Sequence, residues 1–158
     1  MRLIAIVLIA GAVPLAAEFR KVEMRVGGLD CESCAVSVDR VIKRIRGVES
    51  ASFDPKANLV SVTFRHENRV SLEAIRDAVK SVGYTPGESQ VSARGSLVLE
   101  DGKWRFKPAG LDRAYNAEVT SELQSKTGAD VVIEGSFPAP PARNQAETLH
   151  VKSVRKAE

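Results

Sequence analysis

Between residues 21 and 84 the hydrophobic pattern switches between period two and period 3.6, and this succession constrains the fold more than any other feature of the chain. Residues 21–28, Lys-Val-Glu-Met-Arg-Val-Gly-Gly, put Val22, Met24 and Val26 on one face, as in a half-buried strand that closes on a flexible glycine pair. From Cys34 onward, Val38, Val41, Ile42 and Ile45 recur at i, i+3, i+4 and i+7, the single stripe of a helix. Gly47 stands where a left-handed C-terminal cap belongs. Alternation returns at 48–53 and again at 59–64, where Val60, Val62 and Phe64 share a face, with Asp54-Pro55-Lys56-Ala57-Asn58 as the turn between. Ser71 is placed to cap a second helix with the stripe Leu72, Ile75, Val79, Val82, which Gly83 stops. A short edge strand is expected at 88–93.

The order βαββαβ implies an α+β fold, the ferredoxin-like sandwich of two helices on an antiparallel sheet. The second half follows another pattern. Leu97-Val98-Leu99-Glu100-Asp101-Gly102-Lys103-Trp104-Arg105-Phe106 reads as a hairpin, because Asp-Gly favours a two-residue type I′ turn. That register sets Leu99 opposite Trp104, Leu97 opposite Phe106 and Glu100 opposite Lys103, all stabilising cross-strand pairs, and makes the Trp104/Phe106 face core. Asp112 is placed to cap a helix reaching about residue 126, with Tyr115, Val119 and Leu123 at four-residue spacing. Residues 130–135 read as a buried strand, Phe137-Pro138-Ala139-Pro140-Pro141 as a stiff connector, and Leu149 and Val151 as a final strand. The result is ββαββ, a small α+β or partly open barrel-like module, loosely similar to an oligonucleotide/oligosaccharide-binding barrel. The expected division is 1–17, 18–93 and 94–158. Each folded half is near the lower size limit for an independent core, so the two are expected to lean on each other.

The first 17 residues stand apart. Met1-Arg2 is a positive start, residues 3–13 are apolar and uncharged, and Pro14-Leu15-Ala16-Ala17 precedes charged Glu18 and Arg20. This reads as a secretory signal peptide cleaved after Ala17; the rival, a retained membrane anchor, needs about 20 apolar residues. The chain is therefore expected outside the cytosol, periplasmic or secreted. With 23 Lys+Arg against 20 Asp+Glu, the charge excess is too small and too dispersed for nucleic-acid binding. Two cysteines in all exclude a disulfide scaffold and a four-thiolate zinc site. In the second half no Ser/His/Asp set, paired carboxylates or phosphate loop points to an enzyme, and it reads as a binding or docking module. Lys152, Arg155 and Lys156 read as a solvated tail.

Both cysteines lie in the strand-to-helix junction Gly27-Gly28-Leu29-Asp30-Cys31-Glu32-Ser33-Cys34. Cys34 falls at the first turn of the helix, where unpaired N–H groups and the positive dipole end favour a thiolate. Two adjacent thiolates select a soft, closed-shell ion that accepts two-coordinate binding, Cu(I) or Hg(II), over hard cations. Zinc prefers four ligands, and the histidines, His66 and His150, lie far off in sequence and in no paired spacing. Asp30 and Glu32 attract cations yet oppose thiolate formation. A bare disulfide with no function remains open, although so short a loop stabilises little. So does thiol–disulfide exchange at the same Cys-x-x-Cys.

Residues 21 to about 86 resemble the heavy-metal-associated domain family, in particular periplasmic mercury-binding proteins and bacterial copper chaperones. The family motif Gly-Met-x-Cys-x-x-Cys corresponds to Gly28-Leu29-Asp30-Cys31-Glu32-Ser33-Cys34, its Gly-Val step after the first helix to Gly47-Val48, and its Gly-aromatic step after the second to Gly83-Tyr84. The resemblance implies Cys31 and Cys34 as metal ligands, with Gly28, Leu29 and Tyr84 around the loop behind them. Leu29 departs from the family's Met, which packs beneath the loop; such volume-conserving swaps cost under about 1.5 kcal/mol. It further implies a carrier rather than an enzyme, handing its ion to a metal-transporting membrane protein or another thiolate site. Tyr84 reads equally well as a core residue.

Overall fold

The computed structural model describes residues 18–29, 32–141 and 146–157. The expected signal segment, Asp30 and Cys31 lie outside the described residues.

The first half folds as β1 (Glu18–Gly27), α1 (Glu32–Lys43), β2 (Val48–Asp54), β3 (Leu59–Phe64), α2 (Leu72–Ser81) and the start of β4 (Thr85–Glu100). Its strands lie antiparallel in the order β2-β3-β1-β4, which is the ferredoxin-like arrangement. Val22, Met24 and Val26 of β1, Val60 and Val62 of β3, Val38 and Ile42 of α1, and Leu72, Ile75 and Val79 of α2 are all buried in one cluster. The stripes read from the sequence are thus the packed faces. β1 begins three residues before the expected start. Phe19 lies an odd number of residues from Val22, yet is buried with it, because a register shift between Phe19 and Lys21 turns it inward. The Ser71 hydroxyl accepts from Ala74 N at 3.2 Å and caps α2. Gly47 has φ 107°, the left-handed conformation expected of it.

β4 corrects the expected short edge strand at 88–93. It runs from Thr85 to Glu100 and is no edge: β1 pairs along one side, β7 (Gly128–Phe137) along the other, and β5 (Lys103–Pro108) with its end. The boundary expected between residues 93 and 94 falls inside it. Gly95 is the crossing point between the two pairings. A Cβ there would stand 2.2 Å from Lys107 O and 2.8 Å from Pro108 Cα, so only glycine lets β5 leave β4 this closely.

Beyond Gly95 the hairpin register is Leu97↔Phe106, Leu99↔Trp104 and Glu100↔Lys103, as the Asp-Gly turn implied, with Asp101 at φ 51° and Gly102 at φ 73°. Leu97 and Phe106 are core, whereas Leu99 is 57% exposed: the hairpin tip outruns the core, so the expected apolar face is buried only at its base.

The helix expected over 112–126 is not formed. Tyr115–Glu118 is strand β6, and only Ser121–Gln124 is helical, as α3. Tyr115 pairs across from Phe106 and packs edge-on against Phe137, ring centroids 4.9 Å apart. Burying that ring between strands outweighs the four-residue spacing that suggested a helix. β8 (Thr148–Lys156) pairs parallel with β6 and antiparallel with β7. The ring β4-β5-β6-β8-β7-β4 is closed, a five-stranded barrel rather than a partly open one. Its interior, including Leu97, Phe106, Tyr115, Ile133, Phe137 and Leu149, is continuous with the core of the first half. α2 fixes this junction: Glu73 accepts from the Tyr115 hydroxyl at 3.0 Å, and Arg76 donates to Pro138 O at 3.0 Å and pairs with Glu147.

Candidate metal centre

β1 delivers the chain to the site. Its last pair is Gly27↔Thr85, which sets the end of β1 beside the start of β4. Gly28 follows at φ +87°, a left-handed turn that a side chain would strain, and a Cβ there would meet Tyr84 Cδ1 at 3.6 Å. The chain then buries Leu29, 1% exposed, the packing role that the family resemblance implied.

α1 opens at Glu32, so Cys34 lies in its first turn. The Ser37 hydroxyl donates to Cys34 O at 2.7 Å, tying this turn to the next. Cys34 is partly buried against the core cluster, as is Tyr84. Tyr84 follows α2, its N–H donating to Val79 O at 3.3 Å. Gly28, Leu29, Cys34 and Tyr84 therefore gather at one end of the first half. Cys34 is disulfide-bonded; the chain's one other cysteine is Cys31, outside the described residues. Val36, on the outer side of α1 two residues beyond Cys34, is 54% exposed.

The histidines lie elsewhere. His66 follows β3, whose start at Leu59 pairs with Arg25 near the loop and whose end is the far end of the sheet. His150 sits on β8 with Nδ1 2.7 Å from Glu118 Oε2. Among the described residues no group of three or more His, Cys, Asp or Glu side chains could hold a metal ion.

Two clusters of charge were not foreseen. Arg76 is buried although charged, and the available signal was its place on the α2 stripe: Leu72, Ile75, Arg76 and Val79 run i, i+3, i+4, i+7. Tyr115, bonded to Glu73 one turn earlier on α2, has its pKa raised by burial and then by the charge and hydrogen bond of Glu73, with Arg113 opposing. The second is Arg94–Asp130, a two-pronged pair with both bonds at 2.7 Å; the guanidinium bond holds the Asp130 carboxyl below its ordinary value. The paired groups lie 36, 42 and 71 residues apart in sequence, so no local pattern announces these clusters.

The heavy-metal-associated domain family matches residues 23–85. Copper chaperone CopZ of Staphylococcus haemolyticus is 36% identical over 61 residues, covering 39% of this chain and 88% of that protein. The copper-transporting ATPase HMA4 of Oryza sativa subsp. japonica is 35% identical over 71 residues, and the zinc-transporting ATPase of Synechocystis is 33% identical over 70 residues. This chain spans 7% and 10% of those two proteins' length. Among solved structures, a CopZ metallochaperone is 28% identical, with TM-score 0.39 over 40% of this chain and 94% of its own. A copper-binding domain of a P-type ATPase, HMA7, is 29% identical, with TM-score 0.40 over 46% of this chain and 92% of its own. Since the family model matches residues 23–85 and the chain covers 88% of a chaperone to which it is 36% identical, the chain belongs to the heavy-metal-associated domain family.

Proposed function

We propose that this protein is a soft-metal carrier that takes up one Cu(I) ion between Cys31 and Cys34 and passes it to a partner by ligand exchange, outside the cytosol. The observation that carries the reading is the two-cysteine junction of a heavy-metal-associated domain, with Cys34 in the first turn of α1. Relatives whose names specify copper support Cu(I) as the first cargo; Hg(II), equally soft, is the second. In the exchange a thiolate of the partner bonds to the ion, a three-coordinate intermediate forms, and one of this chain's sulfurs leaves. The second sulfur follows. No electron changes hands and no catalytic acid or base is required. Buried Leu29 supports the loop from beneath, and Tyr84 packs beside Gly28. The recipient in this reading is a metal-transporting membrane protein with its own thiolate site, and the barrel is a docking module. Residues 1–17, read as a signal peptide, support export, which cell fractionation tests.

Anaerobic titration of reduced protein with Cu(I), and in parallel Hg(II), under chelator competition tests the carrier reading. One equivalent is expected, lost in Cys31→Ser and in Cys34→Ser. Uptake that survives both substitutions overturns it. The second reading, a thiol–disulfide redox protein, is supported by the disulfide bond of Cys34. It requires that the protein reduce insulin at a rate that depends on both cysteines.

A further inference from the structure

We propose that the seam between the two halves is a binding site for a small organic monoanion: a carboxylate carried on an apolar body. A cavity of about 440 Å³ opens there, within the roughly 300–1,000 Å³ range of small-molecule sites. The backbone creates it. At Gly95 the β5 strand crosses so close that no side chain fits. One residue later, the register between β4 and β7 shifts from Gly95↔Val131 to Leu97↔Gly128, so β7 carries one extra residue and bulges beside Ser96. Ala109 N donates to Arg94 O at 3.0 Å, folding the loop after β5 over the opening.

The side chains give the cavity its charge. Ser96 and Lys107 are directly opposed in register, so both project from the same face of the sheet. Arg69 enters from the β3–α2 connection of the first half. Arg69 and Lys107 are exposed and have no ion-pair partner among the described residues. Arg94 and Asp130, at the rim, neutralise each other through their paired bonds. Asp112 offsets one of the remaining cations, which leaves one positive charge in excess. Pro108, Ala109 and Leu111 supply an apolar wall. The hydroxyl of half-buried Ser96, two cations and that wall match an acid group on a compact apolar body. A bare polyanion would leave the wall unused and meet Asp112.

This site is separate from the metal centre. From Thr85, beside Gly27, to Gly95 along β4 is about 33 Å at ~3.3 Å per residue. The ligand would bridge Arg69 of the first half and Lys107 of the barrel, and so fasten the two.

Calorimetric titration of the full chain with sodium benzoate, with backbone amide shifts followed by NMR, tests the assignment. Saturable binding is expected, with shifts centred on residues 94–96 and 107–112. The double substitution Arg69→Gln and Lys107→Gln is expected to weaken binding by at least about tenfold, the loss of charge-assisted bonds. Benzamide, uncharged and of the same shape, is expected not to bind. Absence of saturation, shifts elsewhere, an unchanged double variant, or equal binding of benzamide overturns the proposal. So does inorganic phosphate binding as tightly as benzoate at the same amides, which would reduce the site to a patch of charge. Cys34→Ser is expected to leave benzoate binding intact while abolishing metal uptake, so failure of one reading does not mimic failure of the other.

Discussion

Arg76, on the inner side of α2, forms an ion pair with Glu147, just ahead of β8, with the two side chains only 3% and 5% exposed. The pair joins the ferredoxin-like half to the barrel in a place with little water. Breaking such a pair from one side leaves an uncompensated buried charge, which costs about 3–5 kcal/mol. Glu147→Ala is therefore expected to lower unfolding stability by about that much, measured by urea titration. The double variant Arg76→Met with Glu147→Leu is expected to recover most of the loss. A double variant as unstable as the single one would show that Arg76 matters through Pro138 O rather than through the charge pair.

Tyr115 makes stability depend on alkaline pH. Burial, followed by the Glu73 charge and hydrogen bond, holds its folded-state pKa above the ordinary 10.0. The folded state thus keeps the phenol proton more tightly than the unfolded chain. The resulting stabilisation is fully present below pH 10 and is lost as pH rises from there through the folded-state value. Tyr115→Phe is expected to be less stable by about 1–2 kcal/mol at neutral pH, from the bond to Glu73. Above pH 10 the difference from the unaltered protein should narrow. Parallel urea midpoints at pH 8 and pH 11 check this, and a constant difference would refute the linkage.

Gly95 and Gly102 predict opposite kinds of damage. A Cβ at Gly95 meets backbone atoms of Lys107 and Pro108, which can yield only if two strands separate. Gly95→Ala is expected to cost about 3 kcal/mol. At Gly102 a Cβ meets nothing within 4 Å, and only its φ of +73° resists a side chain, so Gly102→Ala should cost about 1–2 kcal/mol. Thermal unfolding of the two variants ranks them directly.

Elements determined by neighbouring residues were legible in the sequence. The hairpin after Leu97 was readable because turn type, cross-strand hydrophobic pairs and the Glu100/Lys103 pair all act within ten residues. The α2 start was readable from Ser71 and its stripe. What was misread depends on partners distant in sequence. Tyr115, Val119 and Leu123 carry a helical spacing that Phe106 and Phe137 override by enclosing Tyr115 between strands. The full length of β4 depends on β7, and the role of Gly95 depends on Lys107 lying against it. The burial of Arg76 rests on a counter-charge, Glu147, that is 71 residues away.

The shared strand and continuous core predict how the molecule unfolds. Leu97 lies in the barrel but belongs to the same buried cluster as Ile75 and Met24, and β4 is common to both sheets' pairings. Leu97→Ala removes a fully buried side chain, at a cost of about 2–5 kcal/mol. Two signals report the halves separately: Trp104, the only tryptophan, reads the barrel by fluorescence, and helical circular dichroism reads α1 and α2, the long helices. In a single cooperative unit, the substitution shifts both midpoints equally although it touches only the barrel. Independent halves would keep the circular-dichroism midpoint of the unaltered protein while the fluorescence midpoint falls. We expect coincident transitions, because unfolding the barrel strips β7 from β4 and exposes the strand that also completes the ferredoxin-like sheet.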